Sequence, residues 1–244
     1  GGPFNIRQLA LTVDQDKELQ KEILSICASD YYSGKNPIRK ISQSIRRLGP
    51  IGFRGVAMQA FLNLDVYYNP KWEKATRSLR HYSLAIAHAC RITSHRASLQ
   101  GDLAFLLGIL HRIGLSLPLL QLSDPNEDVP QAIQTCSNLH ATHPSISQFI
   151  LQKWGMPTEL IETIGCYGQL IINDKPNTLS AILIIAEELL SRLGRKEPQL
   201  LPSKDKFRPP PKDSFQDACT ILNISEKDIP QLLINTQETL RSSA

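Results

Sequence analysis

Apolar residues in this chain recur at helical rather than alternating intervals almost everywhere, and that pattern excludes most folds. Ile38, Ile41, Ile45 and Leu48 fall at i, i+3, i+7 and i+10, with Arg39, Lys40, Ser42, Gln43, Arg46 and Arg47 on the other face. Asn36-Pro37 supplies an N-cap and a first-turn proline, and Gly49-Pro50 a stop. The same reading predicts helices over 51–64, from about Asn69 to His95, and over 101–112, 128–138, 144–154, 157–167, 178–194, 213–222 and 225–241. Pro70, Asp102, Pro144, Pro157-Thr158, Asn177, Asp213 and Ser225 mark their starts. No run of strands and no internal repeat is predicted, so the expected fold class is all-α.

The 244 residues fit one large domain or a domain with an appendage. Residues 195–214, RKEPQLLPSKDKFRPPPKDS, hold six basic residues and five prolines and cannot form one helix. They are expected to form an exposed loop between a main helical domain, 1–194, and a C-terminal helical pair, 215–244, packed on that body. The most apolar window, TLSAILIIAEELL at 178–190, is too short to span a bilayer and carries two glutamates, so it reads as a buried helix. No signal peptide is visible, and the five cysteines are widely spaced without a CxxC. A reducing, cytoplasmic setting is the simplest expectation.

Candidate chemistry is sparse. His81, His88 and His95 lie at intervals of seven on one predicted helix. Neighbours in that series sit about 10 Å apart along the axis, too far to share one metal ion. His140 and His143 form an i, i+3 pair, but Pro144 pushes His143 towards a helix start. His111-Arg112 closes the apolar run LLGILHRIG. A guanidinium is permanently cationic and cannot ligate a metal. Arg112 therefore reads either as a cap on its helix's last carbonyls or as a holder of a carboxylate or phosphate. No GxSxG and no phosphate-binding glycine loop is present. The stretch 31–64 holds Lys35, Arg39, Lys40, Arg46, Arg47 and Arg54 with no acidic residue. Its two short helices around a turn outline a face for nucleic acid or an acidic partner. Most such faces are simply solvated, and the overall formal charge of +4 is mild, so this is the weaker reading.

Four segments, in order, resemble the HDOD domains, output domains related to the metal-dependent HD phosphohydrolases. They are ILSICASDYYSGKNPIRKISQSIRRLG (23–49), LRHYSLAIAHAC (79–90), AFLLGILHRIGLSL (104–117) and HPSISQFILQKWGMPTELIETI (143–164). The resemblance spans about 6–194 and implies an all-helical HD-superfamily-like fold, with one or two family helices missing ahead of the first residue. Active relatives hold metal through the histidine of the second segment, a His-Asp pair in the third, and later histidines. By position the resemblance implies that His81, His111 and His143 survive, that Arg112 replaces the bridging acid, and that Tyr167-Gly168 replaces a His-His pair. It thus implies a degenerate metal site with no metal or cofactor and no catalysis, as in HDOD domains generally. The implied role is a bacterial signal-transduction output module working through protein contacts, its partners being receiver, kinase or cyclic-di-GMP-turnover domains. The alternatives are nucleotide or anion binding in the old cavity through Arg112, His111 and His81, and, more weakly, DNA binding through 35–54.

Overall fold

The computed structural model describes residues 11, 13–29, 32, 37–63, 73–115, 142–195 and 212–242. Its contacts divide the chain into two compact units, Gly1–Tyr67 and Tyr68–Ala244. The predicted helix at 128–138 and nearly all of the 195–214 loop lie outside the described residues, as does Lys35.

In the first unit, α1 (Lys17–Cys27) starts where Asp16 accepts hydrogen bonds from the backbone N–H groups of Glu18 and Leu19, at 3.1 and 3.0 Å. An aspartate there satisfies two donors that the helix itself cannot, and its charge favours the positive end of the helix dipole. The two helices predicted over 37–48 and 51–64 are both present within the helical run α2 (Ile41–Asn63), separated by a kink at Gly49, whose backbone is not helical. The kink has a local cause. Gly49 adopts φ 68°, a conformation that favours glycine, and Pro50 restarts the helix without an N–H to donate. The predicted proline start at 37 falls ahead of the helix. Instead the Gln43 side chain reaches back to accept from the Arg39 N–H at 2.9 Å, holding the chain's entry. Ile23 and Cys27 of α1 and Ile41, Ile45, Phe53, Val56 and Ala60 of α2 form this unit's core.

The second unit is built around two apolar helices. After α3 (Glu73–Arg96) comes α4 (Gly101–Leu110), every residue of which from Leu103 onward is buried. A helix apolar on all sides must be enclosed by other elements, and α4 packs against α3, α6 and α7. Residues 142–153 form α5, followed by α6 (Thr158–Gly165), α7 (Thr178–Arg192), α8 (Lys212–Ile221), a 3₁₀ turn at Glu226–Asp228 and α9 (Ile229–Ser242). His143 lies inside the helical residues rather than ahead of them. Pro144 is tolerated because first-turn N–H groups have no partner in the helix. α8 begins at Lys212, one residue ahead of the start predicted at Asp213, so the last residues of the 195–214 stretch are helical. The C-terminal helices α8 and α9 contact α7, and α9 also contacts α3, while Arg96 pairs with Asp228 at 2.8 Å.

A two-residue antiparallel ladder escaped the sequence reading: Ile171 faces Pro176 and Ile172 faces Lys175. Asn173 and Asp174 turn between them with φ 51° and 59°, the left-handed pair that a tight hairpin requires. Strands of two residues are too short to show alternation.

The start of α7 is fixed by Asn177, whose side-chain oxygen accepts from the Ser180 N–H at 2.8 Å and from the Thr163 hydroxyl of α6 at 3.2 Å. One residue thus caps α7 and ties it to α6. Asn177→Ala is expected to cost about 1–2 kcal/mol, the upper part of the range for a lost N-cap, measured by urea denaturation.

Candidate functional site

The end of α4 delivers a basic pair into the interior. His111 is fully enclosed and Arg112 is 1% exposed. The chain passes close to α5 here. The Gly114 N–H donates to the Ser147 hydroxyl at 2.9 Å, and a Cβ at Gly114 would stand 2.4 Å from the His143 carbonyl oxygen. Only glycine permits that approach without a shift, and the approach seats His111 and Arg112 beside α5.

The protonation of His111 follows from its partners. Its Nδ1 lies 2.6 Å from the Gly108 carbonyl oxygen, which can only accept, so Nδ1 carries the proton. Nε2 then offers a lone pair, and the Arg112 Nε–H donates to it at 3.1 Å. Burial and then the adjacent guanidinium hold the His111 pKa well below the usual histidine value, partly offset by the Gly108 hydrogen bond. The ring is neutral at physiological pH.

Arg112 extends the network to two other elements. Its Nη2 donates to the Tyr167 hydroxyl, just after α6, at 3.1 Å, and lies 3.7 Å from Oε1 of Glu187 on α7. The Tyr167 hydroxyl donates to that same Glu187 oxygen in a very short contact. Burial, followed by the Glu187 charge, pushes the Tyr167 pKa well above its usual value, so the phenol stays protonated. The arrangement is a cation and an anion bridged by a neutral phenol, with a neutral imidazole at the cation's other side. The His143 ring, also fully buried, stands edge-on to the Tyr167 ring at 5.4 Å between centroids. Tyr82 of α3 approaches His111, with 6.3 Å between ring centroids.

The structure therefore brings together His111, Arg112, His143 and Tyr167. Gly168 follows in a turn and contributes no side chain. His81 is exposed on α3 and makes no hydrogen bond or ring contact to the group. Its pKa is lowered by partial burial, then by Arg80, Arg77 and Arg195. Its neighbour Tyr82 is the residue that faces inward. Glu187 was missed, although a signal existed. It falls on the same helical stripe as Leu183, Ala186 and Leu190, all buried, whereas Glu188 turns outward and pairs with Arg192 at 2.8 Å. His88, also on α3, is edge-on to Phe105, and burial followed by the Arg91 charge lowers its pKa to about 4.

On the first unit, Arg39, Lys40, Arg46 and Arg47 are exposed and Arg54 is half-buried.

Among the described residues, no group of three or more His, Cys, Asp or Glu is arranged to hold a metal ion. The donors near Arg112 are engaged instead. The free lone pair of His111 accepts from Arg112, and Glu187 accepts from Tyr167 and faces the guanidinium. A divalent ion does not fit this set, because a fixed cation lies among its ligands. No helix among the described residues is long and apolar enough to cross a membrane.

Comparison with known proteins gives a consistent answer. The HDOD domain family model matches residues 3–170. A candidate phosphohydrolase from Shewanella amazonensis SB2B is 15% identical with a TM-score of 0.61, the match covering 100% of this chain and 89% of that one. A candidate metal-dependent phosphohydrolase from the same organism is 18% identical with a TM-score of 0.57, covering 91% and 85%. A candidate signal-transduction protein from Marinobacter aquaeolei VT8 is 16% identical with a TM-score of 0.57; the match covers 99% of this chain and 54% of that one. At these identities the likeness is one of fold. No curated protein matches the sequence.

Two outcomes follow from the buried network. Removing one member of a buried charge pair strands the other, so Glu187→Ala should cost roughly 3 kcal/mol, while Arg112→Met/Glu187→Met should recover most of that loss. A urea-denaturation double-mutant cycle measures it. Stability should also fall with acid. His88 and His111 have folded pKa values below their unfolded value of 6.5, so the unfolded chain binds more protons below that pH. His88 contributes a slope approaching about 1.4 kcal/mol per pH unit between roughly pH 6 and 4.5, His111 adds to it in the same direction below pH 6.5, and neither contributes well above that pH. His88→Asn should flatten the profile, followed by urea midpoints across that range.

Proposed function

Because this chain belongs to the HDOD family, we propose that it is a non-catalytic regulatory module of bacterial signal transduction, acting through contacts with other signalling proteins. The observation that carries this reading is the Arg112 guanidinium, buried where the family resemblance places a bridging acid and already paired through Tyr167 with Glu187. Metal-dependent hydrolysis needs an ion that polarises its substrate and activates water, held by oxygen and nitrogen ligands. Here the same space contains a covalently attached cation that can do neither. The helical HDOD fold is kept, and its helices offer surfaces on which partners can bind.

The fold relative from Marinobacter, named as a candidate signal-transduction protein, is longer, and this chain matches 54% of it. That agrees with a module operating beside receiver, kinase or cyclic-di-GMP-turnover domains. The reading in which Arg112 serves a bound nucleotide has less support. The guanidinium is 1% exposed and two of its nitrogens face protein partners, so an incoming phosphate would first have to displace Glu187.

The expected outcome is that the purified protein, supplied with manganese, nickel or magnesium, retains no stoichiometric metal and hydrolyses neither nucleotides nor phosphodiesters above background. Elemental analysis and phosphate-release assays measure this. Stoichiometric metal with turnover abolished by His111→Ala would overturn the proposal.

A further inference from the structure

The first unit carries a feature that the buried network does not use. On α2 and the residues leading into it, Ile41, Ser44 and Ile45 are buried and Leu48 is half-buried. The opposite arc holds Arg39, Lys40, Ser42, Gln43, Arg46 and Arg47, all exposed. At 1.5 Å per residue, the charges from Lys40 to Arg47 extend about 10 Å along the helix. No carboxylate occurs anywhere in 37–63. Arg39, Lys40 and Arg46 have no ion pair among the described residues, and Arg47 donates to the Tyr32 carbonyl oxygen at 3.4 Å. Gln43 is tied to the Arg39 backbone.

We propose that this arc docks the phosphate backbone of a nucleic acid, without reading its sequence. The choice of partner rests on what the arc lacks. Between 39 and 47 it exposes no apolar side chain. A protein partner would find none of the aromatic or aliphatic anchors that carry most interface energy. Exposed charge pairs alone contribute little. A membrane would find no apolar edge to sink among its lipids. A polyphosphate chain needs neither, because each neutralised phosphate releases condensed counterions, and that entropy drives binding. Guanidinium forks also match phosphate oxygens in pairs. The arc is too short, and its base-reading complement too poor, for sequence recognition.

The test uses the full chain with a fluorescent random-sequence duplex DNA of about 20 base pairs, followed by anisotropy across salt concentration. Three to four phosphate contacts predict a log–log slope near −3, or roughly a 60-fold loss between about 50 and 200 mM salt. Arg39→Gln/Lys40→Gln/Arg46→Gln should cut affinity at least tenfold at low salt and reduce the slope by about 2–3. These side chains are exposed, and an unchanged urea midpoint would show that the variant folds. Lys17→Gln/Lys21→Gln, exposed on α1, should leave binding unchanged. Absent binding at low salt, an equal loss in the α1 variant, or displacement by polyglutamate at matched charge as effectively as by unlabelled duplex would each overturn the proposal. The last of these would assign the arc to an acidic protein partner.

Discussion

The second unit depends on how a permanent cation is accommodated in an apolar interior. Arg112 cannot neutralise itself by losing a proton, so the surroundings must supply the compensation. Glu187 provides the opposite charge, Tyr167 bridges the two, and His111 gives up its lone pair. Each group also depends on its neighbours for its own state. The guanidinium helps to keep His111 neutral, and the carboxylate helps to keep Tyr167 protonated. Burial, followed by this charge pair, thus sets the ionisation of His111 and Tyr167.

That requirement reaches into the fold. Glu187 must arrive from α7 and Tyr167 from the turn after α6, and Asn177 sets the register between those two helices through its bonds to Ser180 and Thr163. The closeness of Gly114 to α5 sets the depth at which the basic pair enters. The little hairpin at 171–176 and the cap at Asn177 are thus parts of one support, holding the carboxylate and the phenol against the cation. In the first unit, α1 and α2 contribute to a core of their own.

Much of this was legible in the sequence, and for identifiable reasons. Helical periodicity located most described helices within a few residues, because apolar stripes such as Ile41 and Ile45 have to be buried. The HDOD resemblance was confirmed by the family match and the fold comparisons. Boundaries failed where side chains compete with simple rules, as at Gln43, which takes over the work assigned to Asn36-Pro37. At the site, position in a family pattern identified Arg112 as the unusual residue but not what answers it. Glu187 lies 75 residues further along the chain, and spacing alone cannot show which distant carboxylate a folded chain brings home. Tyr82 and His81 make the same point at shorter range. They are adjacent in sequence, and helix rotation alone sends one inward and leaves the other at the surface.

A bound metal ion exchanges with its surroundings, so its occupancy follows chelators, competing ions and supply. Arg112 is attached to the backbone, and its local concentration never varies. On the proposed reading, the charge at the centre of this domain is a permanent one that no change in metal supply can remove. In the regulatory role proposed above, signals would then reach it through its outer surfaces and the positions of its helices.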